Sequence, residues 1–183
     1  MYFRNVLCER LGGDDPINLW RFVGAVLVAW GMWATPVAAE FVTESLDNDF
    51  RGEIEAAADE GKNLVIMFHQ LGCPYCDKMH ARVLPHKTVE GYFDDKFILI
   101  ESDIRGDLDV VTPKGEETIE KKYARKMRIR ATPVFVFFDQ QGNDVLRLTG
   151  FIDVDGFVKA GQYVRDGVYK SKKSFIRYLR EGG

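Results

Sequence analysis

Two cysteines three positions apart, Cys73 and Cys76, are the residues whose type and spacing most strongly predict chemistry in this chain. Thiols at this spacing can close into a small ring with little backbone movement if they lie where a strand passes into a helix. The free N–H groups and positive dipole end of a helix start stabilise a thiolate, so we expect Cys73 to be nucleophilic near neutral pH. Cys76, one turn further on, can then attack a mixed disulfide formed at Cys73. The pair therefore predicts a dithiol redox site.

The residues around the cysteines predict the strand and helix that would position them. The apolar run 64–68 predicts a buried strand, and the apolar periodicity after Cys76 predicts a helix that ends before Pro85. Pro74 suits an early helical position because it needs no N–H partner there. Tyr75 is interpreted either as a rim residue that contacts substrate or as an ordinary surface aromatic.

The rest of the chain predicts an α/β order. An amphipathic helix over 46–60 precedes the first strand, and a short helix over 88–93 precedes a second strand over 97–102. A small hairpin over 107–115 and a helix over 116–127 come next. The chain then predicts strands over 134–139 and 144–151, a helix over 157–164 capped by Asp153, and a last helix over 171–180. Apolar central strands favour a sheet that is covered on both faces.

A Thr132-Pro133 pair stands immediately before the strand that begins at Val134. Proline at the first residue of a strand costs no ladder hydrogen bond. Together with the dithiol, this pair makes the chain resemble the thioredoxin family, in which a Thr-Pro pair with a cis peptide bond lies beside the two cysteines. The resemblance implies a single thioredoxin-like domain, with a mixed central sheet flanked by helices and a small hairpin insertion. It also implies that Thr132 and Pro133 contact substrate with Pro74 and Tyr75.

Within that family, the chain is most similar to periplasmic thioredoxin-like proteins of the SoxW type. The similarity extends over roughly residues 49–181 and includes Gly72-Cys73, Met79-His80, Thr112-Pro113-Lys114-Gly115, Tyr169-Lys170 and Ser174-Phe175-Ile176-Arg177-Tyr178-Leu179. It implies a thiol–disulfide oxidoreductase that needs no cofactor and no metal. Its electrons would come from a membrane thiol-reductant transporter and pass to disulfides of exported proteins, in sulfur oxidation or cytochrome maturation. An oxidant or isomerase of the same fold remains open.

The chain departs from the family pattern at two places. Thioredoxin has a buried aspartate six residues before the first cysteine, and that position here is Met67. The dipeptide between the cysteines is Pro74-Tyr75, which is typical of glutaredoxins. The first departure removes a proton acceptor near the buried thiol, and the second leaves the redox potential open.

The N-terminal segment predicts export. Arg21 precedes an uncharged apolar run over 22–33, and small residues follow over 35–39. We interpret residues 1–39 as a signal peptide cleaved before Glu40, and residues 40–183 as the thioredoxin-like domain in the periplasm. An uncleaved membrane anchor and a buried core helix are the alternatives.

Cysteine use and charge narrow the function further. Cys8 lies in the predicted signal segment, which leaves Cys73 and Cys76 as the cysteines of the exported domain. When an exported protein has two cysteines and both lie in one Cys-x-x-Cys motif, a redox role explains them better than a structural disulfide does. Closure of so short a loop would add little stability. The net charge of −3 without a basic stripe gives no support for nucleic-acid binding.

Two histidines permit a competing hypothesis. His69 and His80 together with Cys73 and Cys76 could supply two nitrogen and two sulfur ligands to Zn²⁺ or Cu⁺. His80 lies four residues after Cys76, which places both on one helix face. His69 would lie in the strand, where its side chain can point away from the thiols. A metal-binding or metal-delivery module is therefore the second functional hypothesis.

Overall fold

The computed structural model describes residues 41–43, 45 and 47–183. The predicted signal peptide over residues 1–39, with its possible membrane anchor at 22–33, lies outside the described residues. Among the helices that are described, none is long and apolar enough to cross a bilayer.

A four-stranded mixed sheet forms the centre of the domain. Its strands are β1 (Asn63–His69), β2 (Phe97–Asp103), β5 (Val134–Phe138) and β6 (Asp144–Thr149), in the order β2-β1-β5-β6. β1 pairs in parallel with β2 and antiparallel with β5, which pairs antiparallel with β6. Strands β3 (Asp109–Val111) and β4 (Glu117–Ile119) form a separate hairpin. This arrangement confirms the predicted mixed sheet and a small hairpin, but the hairpin spans residues 109–119 rather than 107–115.

Helices cover both sides of the sheet. They are α1 (Phe50–Asp59), α2 (Pro74–Arg82), α3 (Lys87–Phe93), α4 (Glu120–Lys126), α5 (Val154–Arg165) and α6 (Phe175–Arg180), with a 3₁₀ turn at Val168–Ser171. α1 begins where Asp49 accepts hydrogen bonds from the N–H groups of Arg51 and Gly52. Asp153 caps α5 as predicted, by accepting from the N–H of Gly156.

Alternation along the strands divides the core into two faces. The site face carries Val65 and Met67 of β1 and packs against α2, α3 and α5. The back face carries Leu64 and Ile66 of β1 and packs against α1 and α4. Residues 41–43 run along the outer edge of β2, where the N–H of Thr43 donates to the carbonyl of Leu99 at 2.9 Å. This pairing covers an edge that would otherwise present free backbone groups.

Several predicted helices have different bounds. The helix predicted over 46–60 begins at Phe50 in the structure. The prediction that a helix begins at Glu116 is wrong, because Glu117–Ile119 pairs with β3 and the helix starts at Glu120. Strand pairing supplies partners for these residues, and β-branched side chains suit a strand. The last helix, predicted over 171–180, is present but begins at Phe175, because a left-handed Lys172 (φ 58°) separates the 3₁₀ turn from α6, which Ser174 caps.

Candidate active site

A tight turn delivers the first cysteine to the start of α2. Gly72 has φ +73°, a left-handed conformation that glycine adopts without steric cost. Cys73 follows as the N-cap in an extended conformation, and Pro74 is the first helical residue. The predicted strand–turn–helix placement of the motif is therefore confirmed.

Cys73 and Cys76 are joined in a disulfide, with their Cα atoms 5.2 Å apart. That separation lies in the usual range for disulfides. The backbone N–H of Cys76 donates a hydrogen bond to Sγ of Cys73 at 3.1 Å. An N–H aimed at this sulfur would also stabilise negative charge on it in the reduced protein. Each cysteine residue is only 4% exposed, so residue burial does not distinguish Cys73 from Cys76.

The Thr132-Pro133 segment lies against the disulfide, where the family resemblance predicts it. The peptide bond between the two residues is cis. The hydroxyl of Thr132 donates to Sγ of Cys73 at 3.2 Å, and the carbonyl of Pro133 accepts from the N–H of Gly150 at 2.8 Å. The backbone N–H and carbonyl of Thr132 make no hydrogen bond to another described residue.

Several apolar side chains on and beside the motif are exposed. Tyr75 is 57% exposed and Leu71 is 94% exposed, and Pro74 is exposed beside them. Phe151 is 38% exposed, and Nζ of Lys78 lies 4.8 Å above the centre of its ring. Neither Leu71 nor Phe151 had a role in the sequence prediction. Phe151 lies far from the motif in sequence, which hides its contact with Lys78 of α2.

The two histidines meet at a carboxylate rather than at the thiols. Nε2 of His80 lies 2.9 Å from Oε1 of Glu101, and Nε2 of His69 lies 3.9 Å from Oε2 of the same residue. Within the described part of the chain, no group of three or more His, Cys, Asp or Glu side chains is arranged to hold a metal ion. The proposed set of Cys73, Cys76, His69 and His80 does not converge.

Sequence reasoning did not identify Glu101, although a signal for it exists. Glu101 continues the alternation of Phe97 and Leu99, which lie on the site face. It is in register with Met67 of β1. The hydrogen bond to Glu101 is the largest cause that raises the pKa of His80 above its ordinary value, while partial burial opposes it and the negative charge of Asp77 adds to it.

Comparisons with known proteins agree with this geometry. The family model described as a thioredoxin-like domain matches residues 50–165, which is more than half of the chain. A search of curated proteins found no match. A thioredoxin-fold protein from Helicobacter pylori has a TM-score of 0.54 at 18% identity, over 78% of this chain and 86% of that one. A candidate disulphide-isomerase from Bacteroides thetaiotaomicron has a TM-score of 0.51 at 24% identity, over 69% of this chain and 91% of that one. These two structures support the fold.

A disulfide between two cysteines of one motif, at a helix start on this fold, makes the protein a thiol–disulfide oxidoreductase, as the sequence predicts. The matched residues begin at Phe50 and extend through the whole central sheet to the end of α5. The chain belongs to the family of thioredoxin-like domains.

Proposed function

We propose that this oxidoreductase reduces disulfides of exported proteins, with Cys73 as the attacking thiol and Cys76 as the resolving thiol. The observation that carries the assignment is the position of Cys73 as N-cap of α2, where the N–H of Cys76 donates to its sulfur. A thiolate at that position is stabilised by the helix start, whereas Cys76 lies inside the first turn.

The reaction proceeds in two exchanges. The Cys73 thiolate attacks one sulfur of the substrate disulfide, which forms a mixed disulfide and releases the first substrate thiolate. Cys76 loses its proton and attacks Sγ of Cys73, which forms the Cys73–Cys76 disulfide and releases the second substrate thiolate. The substrate gains two electrons and the protein loses two.

The neighbouring residues suit an extended substrate segment. Thr132 offers a backbone N–H and carbonyl that no described residue occupies, beside Sγ of Cys73. Main-chain pairing of that kind gives affinity without demanding a particular sequence. We propose that Pro133 fixes this backbone and that Pro74 and Tyr75 form an apolar rim on the other side.

Cysteine variants of the full chain test the two roles. In reduction of insulin by dithiothreitol, Cys73→Ser should abolish catalysis, and Cys76→Ser should accumulate a mixed disulfide that is visible on a non-reducing gel. Cys8→Ser is the matched control and should retain activity. Equal trapping by Cys73→Ser would reverse the assignment, and full activity in both variants would overturn the proposed function.

The direction of electron flow has its own measurement. Dithiol proteins of this kind range from about −270 to −120 mV, and reductases lie at the negative end. Equilibration with glutathione at several ratios of reduced to oxidised form gives the potential of the Cys73–Cys76 couple. A value near −120 mV would replace the reductase with an oxidant of the same fold.

The compartment and electron source are further parts of the proposal. Arg21, the apolar run 22–33 and the small residues 35–39 support export to the periplasm, where a membrane thiol-reductant transporter would reduce the protein. An alkaline phosphatase fusion after Gly52 should be active in a bacterial host, and the exported chain should begin at or near Glu40. An exported chain that still begins at Met1 would indicate a membrane anchor instead.

A further inference from the structure

Cys76 must lose a proton in an apolar environment. In the proposed reaction its thiol attacks Cys73 as a thiolate, yet Cys76 is 4% exposed and belongs to the apolar cluster of the site face. Met67 and Met79 are members of the same cluster. Burial of this kind disfavours a thiolate, so a nearby proton acceptor would accelerate the second exchange.

His80 is the titratable residue one helical turn after Cys76. Residues four apart on a helix lie on the same face, and helical side chains lean toward the N-terminus of the helix, so His80 extends toward the turn that begins at Cys76. Nε2 of His80 lies 2.9 Å from Oε1 of Glu101, a buried oxygen that no well-directed hydrogen bond reaches, so the contact is an ion pair when the imidazole is protonated. The tautomer that carries its proton on Nε2, towards the carboxylate, leaves the Nδ1 lone pair to accept a proton.

Glu101 is positioned by the sheet rather than by α2. It lies directly opposite Met67 in the pairing of β1 with β2, about 4.8 Å away across the ladder. A cavity of about 950 Å³ opens beside Glu101, His69 and His80 and gives the pair access to solvent. The imidazole therefore contacts a carboxylate that the neighbouring strand fixes, one helical turn after a buried thiol on its own helix.

We propose that His80 accepts the proton of the Cys76 thiol during the second exchange, and that Glu101 orients the imidazole and stabilises the imidazolium. This inference rests on the proposed function. The S–H bond of Cys76 breaks, a new bond forms between the two sulfurs of Cys73 and Cys76, and the bond from Cys73 to the substrate sulfur breaks. The proton goes to Nδ1 of His80, and the substrate sulfur leaves as a thiolate.

Other titratable groups lie around His80. Asp77, on the same helix, adds to the rise in its pKa, while His69 of β1, Asp103 of β2, Asp107 and Glu120 line the same cavity. The carboxylates of Glu101 and Asp77 favour the imidazolium. Neutral His80, the form that accepts a proton, consequently predominates only at a higher pH than for an ordinary histidine.

Stopped-flow kinetics with an aromatic disulfide separate the two exchanges, because each one releases a coloured thiolate. The experiment uses the reduced full chain with Cys8→Ser, from about pH 5 to 9, where histidine titrates. The first phase reports attack by Cys73 and the second reports attack by Cys76. In the parent protein the rate of the second phase should rise with pH through the titration of His80.

Three variants give distinct expectations for the second phase. His80→Gln should slow it about 100-fold above the His80 titration and remove that inflection. Glu101→Gln should move the inflection to lower pH, a change that a purely structural role would not produce. His69 contacts the same carboxylate from β1, so His69→Gln is the matched control. The rate of its second phase should stay within about twofold of the parent.

The two proposals fail in different ways. If the first phase is absent, Cys73 is not the attacking thiol and the proposed function fails. If the first phase is normal and the second has the same pH profile in the parent and in His80→Gln, only the proton transfer is overturned. Loss of the second phase in His69→Gln but not in His80→Gln would also overturn it.

Discussion

The two faces of the sheet are both apolar but are held together differently. On the site face, the ring of Phe157 lies 4.8 Å from that of Phe93 and 5.0 Å from that of Phe135, so aromatic packing links α3, α5 and the sheet. On the back face, the buried carboxylate of Glu120 joins α4 to β2. It accepts from the hydroxyl of Ser102 at 3.1 Å and from the N–H of Asp103 at 2.8 Å.

This difference predicts which kind of substitution destabilises each face most. Packed rings lose contact in every direction when volume is removed, and a rigid neighbourhood cannot collapse to fill the gap. A buried carboxylate depends on a few directed hydrogen bonds, and its loss leaves donors without an acceptor. The face that carries the dithiol is therefore sensitive to volume, and the opposite face is sensitive to hydrogen-bonding capacity.

The largest expected effect comes from Phe157→Ala. Truncation of a fully buried phenylalanine lowers the free energy of unfolding by about 3–5 kcal/mol. Phe157 should lie at the upper end because it contacts three other rings, whereas the matched residue Phe50, equally buried on the back face, contacts only Tyr123 among described rings. Urea unfolding of Phe157→Ala and Phe50→Ala gives the comparison. An equal or greater loss for Phe50→Ala would refute the distinction between the faces.

Loss of the Glu120 carboxylate should lower the free energy of unfolding less than Phe157→Ala does. Glu120→Ala leaves the hydroxyl of Ser102, which is buried, without its acceptor, and an orphaned buried donor costs about 1–3 kcal/mol. Removing both partners in Ser102→Ala with Glu120→Ala should cost less than the sum of the single changes, because no donor hydroxyl remains unpaired. Strictly additive free energies of unfolding would show that this hydrogen bond does not stabilise the back face.

Local signals in the sequence were sufficient for most of the fold and for the dithiol. The apolar run of β1 and the Pro74 helix start each carry their meaning within a few residues. The same holds for Asp153, which caps the helix that follows it. These features agree with the structure because neighbouring residues alone determine them, whereas the position of Thr132-Pro133 beside the cysteines came from the family resemblance.

The features that sequence reasoning missed depend on pairing between distant segments. Glu117–Ile119 forms a strand only because β3 supplies its partner. Glu101 contacts His80 because the pairing of β1 with β2 places Glu101 opposite Met67. Alternation along one strand cannot reveal the register between two strands. Sequence placed both histidines near the thiols but could not show that a carboxylate from β2 lies against them.

The N-cap residues of α1 and α5 allow a smaller comparison between the two faces. Asp153→Ala on the site face and Asp49→Ala on the back face should each lower the free energy of unfolding by about 1 kcal/mol. Asp49→Ala should lower the free energy of unfolding more, because Asp49 accepts hydrogen bonds from two N–H groups while Asp153 accepts one. Thermal unfolding of the two variants measures this order. A larger loss for Asp153→Ala would mean that packing of α5, rather than cap hydrogen bonds, determines the cost.

The smallest expected effect is a pH dependence at the polar end of the site face. The pKa of His80 is raised above its unfolded value of 6.5, chiefly by the hydrogen bond to Glu101. The protonated imidazole therefore stabilises the folded state fully below pH 6.5, and this stabilisation is lost as pH rises through the folded pKa. Both side chains are partly exposed, so solvent screening limits the effect to less than about 1 kcal/mol.

The free energy of unfolding of the parent minus that of His80→Gln, measured by urea titration at each pH, should fall as pH rises over this interval. In a Glu101→Gln background the difference should be nearly independent of pH, because the amide cannot stabilise the imidazolium as a carboxylate does. A difference that grows with pH would contradict the assigned ion pair and, with it, the electrostatic contrast between this end of the site face and its apolar interior.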